Sequence, residues 1–205
     1  MAYPAALEAL VDAFERFPGI GRRTAERLAF HILRDPSSRA LSRAIEDAVA
    51  RARRCGRCCN VAESDPCPLC ADPDRDDTLL CVVEEPRHVE AMERSAAFKG
   101  RYHVLMGSYN PAEGSEPRHL TLAELVRRVG EERPREVILA TDPDQEGEAT
   151  ACLVSEALRS ALPEETGSEA GPRITRLARG LPAGSAIEYL HRGVLEDALA
   201  GRRPV

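Results

Sequence analysis

The sequence predicts an α/β chain with four parts: an N-terminal helical region, a four-cysteine knuckle, a mostly parallel Rossmann-like sheet flanked by helices, and a C-terminal helical tail. Three observations carry that expectation. Apolar residues recur at helical spacing over residues 5–54, two CxxC pairs follow, and from residue 79 onward short apolar runs alternate with helical stretches. With 205 residues, 43% hydrophobic and 30% charged, the chain has material for a substantial core plus appendages. No apolar run approaches a membrane span, and Met1-Ala2-Tyr3-Pro4 carries none of the positive charge of an export signal, so a cytoplasmic chain without membrane contact is expected.

The formal net charge of -6 is unevenly spread. Residues 22–54 hold nine arginines against Glu26, Asp35, Glu46 and Asp47, whereas residues 72–205 hold 17 basic and 25 acidic residues. One end suits phosphate and the other repels it.

In chain order, residues 5–17 place Leu7, Leu10, Val11 and Phe14 on one helical face before Pro18-Gly19-Ile20-Gly21 stops the helix. A second helix over 22–33 groups Ala25, Leu28, Ala29 and Ile32, with Arg23 and Arg27 sharing another face at i,i+4. This pattern resembles a helix-hairpin-helix motif, which grips DNA without reading bases: Gly19 and Gly21 let backbone amides approach a phosphate, the second helix offers its positive N-terminus, and Arg22, Arg23 and Arg27 add charge. The competing reading is a plain helical hairpin with a solvated basic face. A dinucleotide loop is excluded because a helix, not a strand, precedes the glycines. A third helix is expected after Asp35-Pro36, capped by Ser37 or Ser38 and running through Leu41, Ile45 and Val49 to Arg54.

The knuckle is Cys55-Gly56-Arg57-Cys58 and Cys67-Pro68-Leu69-Cys70, separated by eight residues. Two residues between cysteines let both thiolates of a pair reach one ion, and two pairs complete a tetrahedral sulfur site for structural zinc with no open position for chemistry. A pair of disulfides is the alternative; the odd cysteine count and the missing export signal fit it poorly. Cys59 offers a fifth thiol, and a slipped register using it in place of Cys58 stays open. Cys81 and Cys152 sit in apolar runs and are expected to be small buried hydrophobes.

After a polar connector, Leu79-Leu80-Cys81-Val82-Val83, Tyr102-His103-Val104-Leu105-Met106 and Val137-Ile138-Leu139-Ala140 read as strands, with helices over 89–98, 122–129 and 148–158. Such alternation implies a parallel sheet whose functional loops lie at the carboxyl ends of the strands. Those loops are acidic: Glu84 ends the first strand, and Asp142, Asp144, Glu146 and Glu148 follow the third. Converging hard oxygen ligands suit Mg²⁺; the plainer reading is that these acids stay solvated or cap the next helix. Residues 163–172 read as a surface loop, residues 174–177 as a further strand, and residues 187–199 as a last amphipathic helix.

A Glu at one strand end with an Asp-x-Asp at another resembles the Toprim fold of topoisomerases, primases and certain nucleases. The order helix-hairpin-helix (1–54), four-cysteine zinc finger (55–70), Toprim domain (78–178) and C-terminal helix and tail (179–205) closely resembles the bacterial RecR family of recombination mediators. Leu80-Cys81-Val82-Val83-Glu84, Gly100-Arg101-Tyr102-His103-Val104-Leu105 and Gly147-Glu148-Ala149-Thr150-Ala151 support the likeness. The resemblance implies a non-enzymatic protein of recombinational repair. It would form a dimeric or tetrameric ring or clamp on double- and single-stranded DNA, work with RecO and RecF, and use Glu84, Asp142, Asp144 and Glu146 to dock a basic partner surface or hold Mg²⁺ weakly. Family members often carry Asn-Pro-Thr-like residues where this chain has Asp142-Pro143-Asp144, which keeps a Mg-dependent Toprim nuclease as the main rival. A topoisomerase is disfavoured, since Tyr3, Tyr102, Tyr109 and Tyr189 offer no nucleophile on a separate mobile domain. The terminal helices, amphipathic with little local core, are the expected subunit contacts.

Overall fold

The computed structural model describes residues 3–161, 171–178, 180–182 and 184–202. It divides into two compact units, Met1–Ala52 and Arg53–Val205. Most of the surface loop expected over 163–172 lies outside the described residues.

The first unit holds three helices: α1 (Ala5–Glu15), α2 (Arg22–Arg34) and α3 (Ser38–Arg51). Val11 of α1 and Ala25 and Ala29 of α2 are fully buried, with Leu7, Leu10, Phe14 and Ile20 packed around them. The two alanines keep the contact shallow enough for the helices to approach closely. Gly19 turns the chain at φ +77, a conformation costly for a side-chain-bearing residue, and the Gly21 carbonyl starts α2 by accepting from the Thr24 and Ala25 amides. The Asp35 carboxylate takes the Ser37 amide and hydroxyl, which opens α3. None of the side chains of α3 is buried, and its apolar residues Leu41, Ile45 and Val49 are all exposed.

The second unit begins with a two-residue hairpin, β1 (Arg53–Arg54) antiparallel to β2 (Val61–Ala62), followed by the short helix α4 (Pro68–Ala71). Next come β3 (Asp76–Val83), α5 (Pro86–Ser95), β4 (Gly100–Val104), α6 (Leu122–Glu132), β5 (Glu136–Leu139), α7 (Gln145–Ala161) and β6 (Arg173–Arg176), and the described chain closes with α8 (Arg192–Ala200). The sheet is parallel throughout in the order β4-β3-β5-β6. Alternate residues of β3 face opposite layers. Leu80 and Val82 pack with Leu105, Leu125, Val129, Val137, Val154 and Leu158, while Cys81 and Val83 pack with Val89, Tyr102 and Val104. Two covered faces explain why these strands read as continuous apolar runs, and each fully buried aliphatic side chain contributes about 1.5–3 kcal/mol.

Four expectations shift. The third helix stops at Arg51 because Ala52 turns extended and Arg53-Arg54 pair with β2. The second strand lies two residues earlier than read, since Gly100 must sit against Leu79, where an added Cβ would come within 2.6 Å of the Leu79 carbonyl oxygen. The last helix is broken: a 3-10 turn, Ile187–Tyr189, is followed by extended Leu190, and the His191 ring accepts from the Gly193 amide to start α8 afresh. Cys81 is buried as expected, but Cys152 on α7 is exposed. Among the described residues no helix is long and apolar enough to cross a membrane.

Candidate functional site

Three sites follow from these elements: a thiolate centre, a basic hairpin and an acidic strand-end cluster.

Cys55, Cys58, Cys67 and Cys70 are buried and bring their sulfurs within 4.8 Å of one another. The thiols of Cys58 and Cys67 are 3.5 Å apart, far beyond a disulfide bond, and all seven cysteines are free. The Gly56 amide donates to Asp65, and the Cys67 amide donates to the Cys55 sulfur, so backbone groups hold the loop around the pocket. Cys59 is the odd thiol out. At φ +62 its side chain turns from the cluster, with Thr121 and Arg54 as neighbours, so Cys58 is the fourth member. Hydrogen bonding from Cys58 first, then from Cys67 and Cys55, with the Arg128 charge between them, holds Cys70 below the ordinary thiol range. The hydrogen bond with Cys70 first, and then burial, pushes Cys58 up, while burial pushes Cys67 up. Four converging sulfurs with no other donor suit zinc, which would be held by these four cysteines and closed to substrate.

A tetrathiolate zinc site carries net negative charge, and the surrounding chain answers with cations. Arg57 donates to the Cys70 carbonyl at 3.1 Å and pairs with Glu132 at 2.8 Å. Arg101 donates to the Leu69 carbonyl at 2.8 Å and pairs with Asp77 at 2.6 Å. Buried Arg128 donates to the Tyr102 carbonyl and pairs with Glu132. Because Arg101 and Tyr102 belong to β4, and the Val104 amide donates to the Cys58 carbonyl at 2.9 Å, the knuckle is fastened to the edge strand of the sheet.

In the hairpin the arginines divide. Arg22 is surrounded by carboxylates, pairing with Glu8, Asp12 and Glu15 of α1 and Glu26 of α2. Its charge serves contacts inside the unit, joining α1 to α2, so a phosphate would have to compete with four carboxylates for it. Arg23 and Arg27 are exposed and make no ion pair among the described residues. Gly19 and Gly21 both stand in open space: an added Cβ at either would meet nothing within 4 Å. Further along α2, Thr24, Arg27, Leu28, Phe30, His31 and Arg34 line a cavity of about 470 Å³.

The acidic cluster assembles differently from expectation. Glu84 is only 4% exposed, and its Oε2 accepts the Asp142 amide at 3.1 Å, joining the carboxyl ends of β3 and β5. Burial, and then the nearby Asp142 charge, raises the Glu84 pKa. Asp144 stays exposed while its Oδ1 accepts the Gly147 amide at 2.8 Å at the start of α7. Gly147 is needed there, because a Cβ would lie 2.0 Å from the Asp142 carbonyl oxygen. Glu146 accepts from the Ser108 hydroxyl and, at 2.7 Å, from the Asn110 amide, tying the loop after β4 to α7. Glu148 pairs with Arg176 at 2.7 Å. The residue that does join Glu84 and Asp142 is His88, in the first turns of α5, with Nε2 3.7 Å from Asp142 Oδ2. Sequence reading passed over His88; its signal was the four-residue step from Glu84 across a strand-to-helix turn.

The fold and the thiolate centre define a class: a helical hairpin, a four-cysteine zinc finger and a Toprim domain in series. Comparison with known families gives the same order, with models described as RecR helix-hairpin-helix, RecR four-cysteine zinc finger domain and Toprim domain matching residues 7–49, 52–72 and 78–168. The chain is 45% identical to the recombination protein RecR of Bifidobacterium longum subsp. infantis over 99% of its length and 98% of the relative. It is 44% identical to that of Gloeobacter violaceus over 99% and 100%, and 45% identical to that of Acidothermus cellulolyticus over 98% of each. The chain belongs to the RecR family of recombination proteins.

Proposed function

We propose that this chain is a non-enzymatic, sequence-independent DNA-binding clamp and adaptor of recombinational repair. The observation that carries the reading is the contrast within the hairpin: Arg22 is consumed by four carboxylates, while Arg23 and Arg27 stay free beside two glycines with open space above them. The first amides of α2 have no intrahelical acceptor, so a phosphate approaching Gly19 and Gly21 meets backbone donors, the positive helix end and two arginines. None of these groups reads a base, which supports binding to double- and single-stranded DNA alike.

Closed by four cysteines, the zinc finger holds the knuckle on the sheet and takes no part in a reaction. The half-exposed Asp142, with the exposed Asp144 and Glu146 after it, forms a negative surface at the strand ends that suits a basic partner, with Glu84 buried beneath it, and RecO and RecF are the proposed partners. Weak Mg²⁺ binding there is an addition to docking, not a route to cleavage: turnover also needs a placed nucleophile and a group to stabilise the leaving oxygen. A homo-oligomeric ring in the cytoplasm completes the proposal. The exposed apolar face of α3 supplies unpartnered surface for subunit contact.

Incubation of the purified, zinc-loaded protein with gapped DNA and Mg²⁺ tests the reading. Binding without cleavage is expected. Mg²⁺-dependent cleavage abolished by Glu84→Ala and Asp142→Ala would replace it with the nuclease, and absence of binding would leave a protein-only scaffold.

A further inference from the structure

We propose that one face of α2 is a binding surface for unpaired nucleotides, in which Phe30 stacks on a base while Arg27 and Arg34 hold flanking phosphates. This rests on the DNA-binding reading above and adds the form of DNA that the hairpin favours. Arg23, Arg27, Phe30 and Arg34 stand at i, i+4, i+7 and i+11, so they form one row along the helix, about 16 Å long. Thr24, Leu28 and His31 form the adjoining row. The two rows, from Thr24 to Arg34, line the cavity of about 470 Å³. That volume falls within the roughly 300–1,000 Å³ of pockets that take small molecules, a size class that includes a nucleobase.

Two features separate this face from an ordinary solvated basic one. The first is charge: the lining holds Arg27, His31 and Arg34 and no acid. Arg23, Arg27 and Arg34 make no ion pair among the described residues, because the carboxylates of α1 and α2, Glu8, Asp12, Glu15 and Glu26, gather around Arg22 instead. Asp35 comes within 3.9 Å of His31 Nε2, but its carboxylate already takes the Ser37 amide and hydroxyl. The second is an aromatic ring that the core does not use. Phe30 is half-buried and stands outside the cluster of Val11, Ala25 and Ala29, braced edge-to-face by Tyr3 at 5.5 Å and 76°. Cations that track a backbone, with an aromatic between them, are the parts of a single-strand surface. In a duplex each base face is covered by its neighbours, whereas an unpaired strand can turn a base out. The glycines and Arg23 at the start of α2 serve both forms; Phe30 serves only the unpaired one, and every base has a π-face to offer it.

The test compares oligo-dT, an abasic strand of the same length and a duplex as probes for the zinc-loaded full chain at one salt concentration. Backbone contacts are common to the two single strands, so their difference reads the base. Wild type should bind oligo-dT about fivefold or more tightly than the abasic strand. Phe30→Leu should lose that preference and keep its duplex affinity within about twofold, whereas Phe30→Tyr should retain both. A fluorescent adenine analogue in the single strand should be quenched on binding to wild type and Phe30→Tyr, and not to Phe30→Leu. Equal binding of oligo-dT and the abasic strand by wild type would overturn the site. So would a Phe30→Leu variant that keeps the preference, or one that weakens on all probes alike. Absence of binding to every probe would defeat the DNA-binding reading itself, and this surface with it.

Discussion

The two units solve the problem of holding helices in place by opposite means. In the second unit, a parallel sheet is covered on both faces, and its position is set by buried aliphatic side chains, with Leu80, Val82, Leu125, Val137, Val154 and Leu158 at its centre. In the first unit, three small or medium side chains are fully buried, and a guanidinium with four carboxylates joins α1 to α2. Burial is insensitive to salt and ion pairing is not. The comparison teaches that the helical hairpin is the softer unit, with its geometry resting on charge, whereas the Toprim sheet and its attached knuckle form the stiffer one.

The largest effect should come from breaking the stiffer unit. Cys70→Ser removes one thiolate from a closed site, leaving Arg57, Arg101 and Arg128 gathered around a weaker anion. Zinc content should fall below one per chain and stability should drop by several kcal/mol, roughly 3–5, read by thermal or denaturant unfolding. A variant with wild-type stability would mean that the knuckle does not hold the sheet edge.

Acid should act on the same unit through His103. This ring is buried in the second strand of the sheet, and its Nε2 lies 3.0 Å from the Thr121 hydroxyl, which itself donates to the Val104 carbonyl. Thr121 Oγ1 is therefore an acceptor for His103 Nε2–H, and the ring is neutral. Burial first, and then the Arg128 charge, lowers its pKa from 6.5 to about 4. A histidine whose folded pKa is depressed contributes stability that is fully present above pH 6.5 and is lost as the pH falls towards 4. The loss at the low end is on the order of 3 kcal/mol. Chemical unfolding of wild type and His103→Gln at pH 7 and near pH 4 should show that the variant lacks this part of the acid loss. Parallel curves would remove His103 from the account.

The softer unit is sharpened by comparing arginines one residue apart. Arg22→Ala should speed hydrogen exchange in α1 and α2, because Glu8, Asp12, Glu15 and Glu26 are left facing one another. Arg23→Ala should leave exchange unchanged. If both variants exchange alike, the carboxylate ring around Arg22 does not hold the hairpin.

Much of this was legible in the sequence where a local pattern settles the matter. The parallel sheet, the hairpin and the cysteine pairs each rest on spacing within a few residues. What escaped depends on how the chain turns and folds back, which spacing alone does not set. Arg22 reads as one more basic residue until α1 folds back and presents carboxylates from 7 to 14 residues away. Asp144 and Glu146 read as unpaired acids until the turn into α7 brings one oxygen of the first to the Gly147 amide and the loop after β4 donates to the second. His88 joins Glu84 only because the strand passes directly into α5. The strand β1 was hidden because its two residues gain their identity from Val61 and Ala62 across the knuckle.

The central claim is that DNA is held by phosphate contacts from the free arginines of the hairpin. Measuring the affinity for gapped DNA across a salt series, for wild type and for Arg23→Glu with Arg27→Glu, tests it most directly. The double variant should bind all sequences more weakly by roughly tenfold or more at low salt, with a salt slope flatter by about two phosphate contacts. Wild-type affinity and an unchanged slope would contradict the claim and place the DNA surface elsewhere on the chain.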